Sequence, residues 1–543
     1  MKPVLVAITF FILFTQFGFT QTLQSVTFFN GATDVNDIAV DNYGNFYATG
    51  FYYADLMQNG FTLLTSKGNS DTFIGKFTNS GAIIWLMSFG GKSFDVGRSI
   101  TVDLEENVYV VGDFSDSASI GGTQLISSGG TDIFVLKFNS AGNLLWAKNF
   151  GGPLSEICNS MTTDASGNSY LGGDFYDSTS LGTHNFTSYG QYDIFILKLN
   201  TDGNILWAQQ AGGERSENVS TITSDASGNI YLTGNFMMTA SFGSKQLVSD
   251  FNGSVYFVKF NSSGECIWAN QSSVPSSATG VGITVDPLGT VYASGTFFET
   301  LTLGSLSLFN EGGSDLFVTK LNDMGQFVWL GRASGTATFD YFFQSHIVVD
   351  AFGNSYVSGY FDGTVNFGSI QLNCPGVSEP YLAKLDPAGN FVWVQKGTGP
   401  YINSSNTVAL LGNDQVFMGG VYGEHFSLGG PELPYWGCFI ASYSAATGIQ
   451  NDLSTPVDFS LSQNYPNPFN PSTRIDYSVP VSSNVVIALF DVLGNEISTL
   501  LNEHKLPGFY SLDFNSNSLP SGVYFYKLTA GNSSLTNKMI LIK

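Results

Sequence analysis

Basic residues are scarce in this chain. Lys and Arg number 20 against 43 Asp and Glu in 543 residues, a formal charge of −23. A surface so poor in cations has little electrostatic hold on nucleic acid or on an anionic membrane, which argues against both as partners. Charged residues of either sign make up only 12%, so the acidity reflects a shortage of Lys and Arg, not acidic tracts. Cysteine is scarce too. Cys158, Cys266, Cys374 and Cys438 show no C-x-x-C spacing, which argues against a thiolate zinc site. The sequence accommodates a Cys374–Cys438 bridge or free buried thiols. The four histidines, His184, His346, His425 and His504, have no ligand spacing, and no G-x-S-x-G elbow occurs. Gly91-Lys92-Ser93 mimics the end of a phosphate loop, but Leu86 stands where that motif needs glycine. No catalytic residue and no metal ligand is assigned.

Long apolar runs are confined to the start. Lys2 precedes VLVAITFFILF, too short for a stable membrane span and ending near Gly18 and Thr20. Residues 1–20 therefore read as a secretory signal peptide cleaved near Thr20/Gln21, with no transmembrane segment after it. Long helical periodicity is missing as well. Gly, Ser, Asn, Thr and aromatics dominate, which suits short strands and tight turns.

What is present is a repeat. DASGNSYLGGDF (Asp164–Phe175) recurs as DNYGNFYATGFY, DLEENVYVVGDF, DASGNIYLTGNF, DPLGTVYASGTF and DAFGNSYVSGYF, with a degenerate copy, LGNDQVFMGGVY, from Leu411. Its central ring falls at Tyr47, Tyr109, Tyr170, Tyr231, Tyr292, Tyr356 and Phe417, steps of about 61 residues; such a period means a propeller, solenoid or array. Each unit reads as four strands. In Ser99–Gly152 these are ITVD, NVYVVGDF, DIFVLKFN and LLWAKNF, the last two apolar on both faces. A sheet apolar on both faces must be covered on both, and similar sheets packed round an axis achieve this. A glycine seven residues after the second-strand aromatic predicts a small ordered hairpin there. The seventh unit lacks its fourth strand, and Thr22–Asn30 (TLQSVTFFN) is expected to supply it, removing two exposed edges.

These repeats resemble the bacterial SBBP family of seven-bladed propeller repeats, carried by D-x-x-G-N-x-Y and D-x-F-V-x-K-x-x-x-x-G-x-x-x-W, over roughly residues 22–451. The resemblance implies a fold and is nearly silent on activity. Beyond a linker at 452–457, residues 458–543 hold NYPNPFNPST, DVLGNE, LPSGVYFY and a terminal KMILIK. They resemble the type A sorting domain of type IX secretion substrates, which implies delivery across the outer membrane by that machinery, then release or surface attachment. The strand pattern suggests a small Ig-like sandwich. The expected fold class is all-β: a seven-bladed β-propeller over 21–451 followed by an Ig-like β-sandwich.

The repeated Asp (Asp41, Asp103, Asp164, Asp225, Asp286, Asp350) and Lys (Lys76, Lys137, Lys198, Lys259, Lys320, Lys384) predict structural Asp–Lys pairs or Asx caps. Calcium at these turns is the alternative, although they lack the alternating carboxylates of a calcium loop. No cofactor is expected otherwise. One loop breaks the pattern: ASGTATFDYFFQSH (Ala333–His346) is longer than its equivalents. Its Asp340, Tyr341 and Phe343 are the candidate ligand-binding residues, suited to sugar stacking or a protein contact; an insertion tucked into the core is the plainer reading. Asp95, Glu156 and Glu217 are expected to form an acidic rim; Tyr435 and Trp436, in GGPELPYWG (Gly429–Gly437), offer a second aromatic site, with the same plainer reading of rings tucked into the core. The expected function is a secreted or surface-attached binding module for a glycan or surface protein, with a polysaccharide-active enzyme or a structural surface component as alternatives.

Overall fold

The structure is a computed structural model. It describes residues 23–444 and 460–542, apart from residues 32, 275–276, 311, 336–341, 414, 431, 434, 462, 465–466, 480–482, 506–507, 517–518 and 531–532. The signal segment and the linker lie outside the described residues. The chain divides into two compact units, Met1–Thr447 and Gly448–Lys543. Both are built of antiparallel strands, with no helix among the described residues.

In the first unit each repeat folds as four antiparallel strands. The first sheet pairs Thr33–Val40, Phe46–Tyr52, Asp71–Phe77 and Ile83–Gly91 in chain order. The second pairs Asp95–Val102, Val108–Ile120, Thr123–Phe138 and Leu144–Phe150. The same order recurs through four further repeats among the described residues, and the seventh supplies its first three strands in that order. The hairpin turns explain the D-x-x-G-N signature. In the third repeat Asp164 Oδ1 accepts the Ser166 and Asn168 N–H groups, and Gly167 takes φ 75°, a left-handed conformation that glycine adopts without strain.

The last sheet is completed from the other end of the unit. Leu23–Asn30 pairs antiparallel with Gly437–Ser444, from Leu23↔Tyr443 to Asn30↔Gly437. Phe29, fully buried, then packs on Phe73 and Phe77 of the first sheet. The first strands also touch in sequence, each meeting that of the next repeat, and Ser404–Leu411 of the last meets Thr33–Val40 of the first.

Third strands are buried on both faces, as their apolar pattern requires: Asp132–Phe138 is buried throughout. Fourth strands differ from expectation. Being outermost, they leave one face in solvent, with Ile84, Leu145, Leu206, Ile267 and Val328 exposed. The hairpins expected after the second strand are formed, and several add to a preceding fourth strand. Thr364–Phe367 and Ile370–Asn373 pair with each other, and the former binds Ala333–Gly335. Part of each such outer edge is thereby covered. All four cysteines are buried and free, so no Cys374–Cys438 bridge forms.

In the second unit, Ser460–Leu461, Ser472–Val479 and Gly508–Asn515 make one sheet; Glu496–Lys505, Ser483–Phe490, Gly522–Ala530 and Ser533–Leu541 make the other. Ile475 and Tyr477 of the first meet Leu489, Tyr526 and Leu528 of the second in a shared core. The described part of the proline-rich opening is anchored to the sheets at two points. Phe469 is buried and exchanges main-chain hydrogen bonds with Ile540 and Ile542, while Asn464 N–H donates to the Tyr526 hydroxyl at 2.8 Å.

Candidate functional site

The most repeated polar residues are consumed in holding sheets together. The Tyr170 hydroxyl donates to Asp164 (3.0 Å) and lies 3.1 Å from the Gly228 carbonyl of the next sheet. Lys198 sits 4.8 Å from the Tyr170 ring centre and 3.8 Å from Asp164. Its ammonium and the Trp207 indole N–H both donate to one carbonyl of the next sheet, Ser262, at 3.2 and 3.1 Å. Trp85, Trp146, Trp268 and Trp329 repeat the indole bond to Ser140, Thr201, Asp323 and Pro387. The expected Asp–Lys pairing is therefore part of a larger clamp that also uses Tyr and Trp. Asp164 spends its two oxygens on main-chain, Asn168, Tyr170 and Lys198 donors; despite burial, these hold its carboxyl below the usual range.

The first strands of all seven repeats line one cavity of about 330 Å³. Its polar groups are largely occupied. Asp37, partly buried, accepts from the Ser99 hydroxyl (2.7 Å), Ile100 N–H (2.9 Å) and Thr407 hydroxyl (3.0 Å), joining three repeats. Arg98 is paired with buried Asp113. Burial pulls His346 down to about 4, so it is neutral at physiological pH. Hydroxyls continue the pattern: Ser99 and Ser160 each face a main-chain N–H of the next repeat, Met161 and Ile222. This network was invisible in the sequence, because Asn, Ser and Thr are common at every position of the chain. It leaves the cavity polar and without a charged group free for acid–base work among those described.

The upper end of the sheets, where first strands begin and second strands end, is different. Asp340 and Tyr341 lie outside the described residues, and of Phe343 only the backbone is described, paired with Tyr360. Their neighbour Phe342 is buried among Phe361, Phe367 and Tyr381, and its N–H faces Ser314. That part of the long loop is core.

The acidic rim is not formed. Asp95, Glu156 and Glu217 are fully or almost fully buried, because each side chain turns back to accept the N–H four residues upstream: Gly91, Gly152 and Gly213. Burial pushes Asp95 up to about 7 and Glu217 up to about 8, and raises Glu156. Exposed rings occupy this end instead. Tyr53, Phe94, Tyr176, Tyr189, Tyr192, Phe251, Tyr401, Tyr435 and Trp436 all stand in solvent there. Trp436 packs 5.2 Å from Tyr401, and both Tyr435 and Trp436 are exposed. At the opposite end the exposed rings among the described residues are Tyr43 and Phe352, in the D-x-x-G-N turns.

Residues 463–543 match the family described as the secretion system C-terminal sorting domain, so the chain carries such a tail. Two curated relatives are similar to parts of the chain. An uncharacterized WD repeat-containing protein, L264, of Acanthamoeba polyphaga mimivirus is 23% identical over 497 residues, covering 71% of this chain and 35% of that protein. The regulatory protein FlaEY of Caulobacter vibrioides is 26% identical over 171 residues, covering 30% and 18%. The chain thus spans about a third of the first relative and under a fifth of the second. Among solved structures, a protein of unknown function from Dyadobacter fermentans is similar over 78% of this chain and 99% of its own, with 11% identity and a TM-score of 0.36. PorZ, described as an essential surface component of the type-IX secretion system of Porphyromonas gingivalis, aligns over 94% of this chain and 81% of its own, with 11% identity and a TM-score of 0.20.

Proposed function

We propose that this is a protein exported through a signal peptide and the type IX route, whose repeats bind a glycan or protein at the cell surface or in the medium. Residues 21–451 act as a seven-bladed propeller of SBBP type, closed by the N-terminal strand, and residues 458–543 as an Ig-like sorting domain. The binding unit performs no chemistry of its own and needs no cofactor. The observation that carries the binding role is the gathering of exposed rings at one end of the sheets. Large exposed aromatics are costly to keep in water and are enriched where ligands or partners dock. The enzyme alternative loses support because the acids it would use, Asp95, Glu156 and Glu217, are enclosed between sheets.

The test is made on the full chain in a bacterium with type IX machinery. Intact protein should reach the surface or medium, and deletion of residues 463–543 should strand it in the periplasm. The exported product should bind isolated envelopes saturably. A tail-less chain that still reaches the medium would sink the export role, and linear, unsaturable envelope binding would sink the binding role.

A further inference from the structure

The second and third repeats carry the same long hairpin with different side chains. Val108–Ile120 pairs with Thr123–Phe138, and Ser169–Leu181 with His184–Leu199. Both ladders are interrupted at the upper end by the same bulge, after Ser115↔Thr131 and after Tyr176↔Tyr192. Both place an aspartate in the left-handed region opposite it, Asp116 at φ 62° and Asp177 at φ 57°. At equivalent positions, offset by 61, the second repeat has Ser115, Ser128 and Thr131, and the third has Tyr176, Tyr189 and Tyr192. The fold therefore accepts small polar residues at all three places. The tyrosines are not required by the backbone, and they leave about half or more of their surface in water: 47%, 68% and 46% exposed.

The rings form a platform. Tyr176 and Tyr192 stand 5.2 Å apart, and exposed Tyr189 belongs to the same bulge. The bulge is pinned to the next repeat, where Gln191 N–H donates to the Arg215 carbonyl at 3.0 Å and the Gln191 side chain accepts from Ser216 at 3.1 Å. The Arg215 guanidinium lies 5.4 Å from the ring centre of exposed Phe251, which extends the aromatic surface. Around it, Asp177 and Glu214 are exposed, and the chain carries a formal charge of −23. An acidic polymer is repelled by this setting. A neutral sugar ring suits it, with C–H faces that lie on phenol rings and hydroxyls that bond to carboxylates, amide and guanidinium.

We propose that Tyr176, Tyr189 and Tyr192 form the stacking platform for a neutral polysaccharide, with Asp177, Gln191 and Arg215 as its polar border. This rests on the binding-module reading above and gives it a site and a ligand class.

The test exchanges the two repeats' residues in the full chain. One variant is Tyr176→Ser/Tyr189→Ser/Tyr192→Thr; the reciprocal is Ser115→Tyr/Ser128→Tyr/Thr131→Tyr. Each is run by affinity electrophoresis through gels containing dextran, mannan, a soluble β-glucan or, as the acidic control, alginate. Wild type should be retarded by at least one neutral polymer and not by alginate. The first variant should melt like wild type and bind that polymer at least about tenfold more weakly, the expectation for losing three stacked rings. The reciprocal variant should bind at least as well as wild type. Equal retardation of wild type and a normally melting first variant overturns the platform and leaves the binding module standing elsewhere. Retardation by alginate alone overturns the ligand class. No retardation by any neutral polymer, with saturable envelope binding intact, overturns the glycan proposal but not the binding module. Loss of both removes the two together. If the first variant melts early, Tyr176→Phe/Tyr189→Phe/Tyr192→Phe must retain binding, and its failure to do so overturns stacking as the cause.

Discussion

The first three repeats and the fifth and sixth meet their successors in opposite ways. At the upper end of each third strand sits a buried acid: Asp71, Asp132, Asp193, Asp315 and Glu379. In the first three repeats it faces a second buried acid from the next sheet, Asp95, Glu156 or Glu217, whose carboxyl its charge raises further. The fourth strand offers only Ser88, Asn149 or Gln210 at the equivalent register. In the fifth and sixth repeats that register holds Arg332 or Lys396, and the acid has its own cation: Arg332–Asp315 at 3.7 Å and Lys396–Glu379 at 2.5 Å. One scaffold thus tolerates an acid beside an acid or an acid beside a base. The first arrangement adds a like charge to the cost of burial, whereas in the second Lys396 opposes that cost, although burial still raises the Glu379 carboxyl.

The largest effect follows from the buried acids: the pairs, together with Asp34 and Asp174, which burial also pushes up to about 7. Asp95 and Glu217 titrate near 7 and 8 in the fold, and Asp132, Glu156 and Asp193 are raised as well. Unfolded carboxyls ionise near 4. Between these limits the folded chain binds more protons than the unfolded one, so stability falls as pH rises from about 4 to about 8 and levels off above. The summed loss is on the order of several kcal/mol. The turn acids act oppositely: Asp41 and Asp164 are lowered, and their contribution is lost as pH falls through their depressed values. Stability should therefore peak at mildly acidic pH. Denaturant midpoints from pH 3 to pH 9 test this. Glu217→Gln should flatten the alkaline limb, and a limb unchanged in that variant breaks the account.

The second effect probes the other class. Lys396→Met leaves Glu379, buried, without its cation. It should cost about 3 kcal/mol at pH 7, and the cost should shrink towards pH 4 as Glu379 takes up a proton. Lys396→Met/Glu379→Gln should recover most of the loss. A double variant no better than the single one means that the lysine acts by packing alone.

Much of this was legible in advance, and what was not has a physical reason. The D-x-x-G-N turns, the Trp strands and the N-terminal strand were readable because backbone conformation and strand pairing repeat with the chain's own period. The anchoring of Phe469 to Ile540 and Ile542 was not readable, because the pairing depends on a strand about 70 residues away. The fate of Asp95, Glu156 and Glu217 was not readable. An acid before a strand looks the same whether it faces solvent or turns back onto an N–H four residues earlier, and only the packing of the next sheet decides. Nor were Tyr176, Tyr189 and Tyr192 picked out, although the signal existed: aligned at the 61-residue offset, they replace Ser, Ser and Thr. The insertion before the sixth repeat drew attention because length is conspicuous, whereas substitution within a constant frame is not.

The smallest effect is a control on the whole comparison. At the other end of the same junctions the indole clamp is alike in both classes: Trp207 donates to Ser262 at 3.1 Å between the third and fourth repeats, and Trp329 to Pro387 at 3.1 Å between the fifth and sixth. Neither bond involves a titrating group. Trp207→Phe and Trp329→Phe should each remove one hydrogen bond while keeping an apolar ring beside Tyr170 or Tyr292, at a cost of about 1 kcal/mol. The two costs should agree, and neither should change between pH 5 and pH 8. If Trp207→Phe proves pH-dependent and Trp329→Phe does not, the acid pairs and the clamp are coupled through the sheet, and the two ends of a junction cannot be treated as separate contributions.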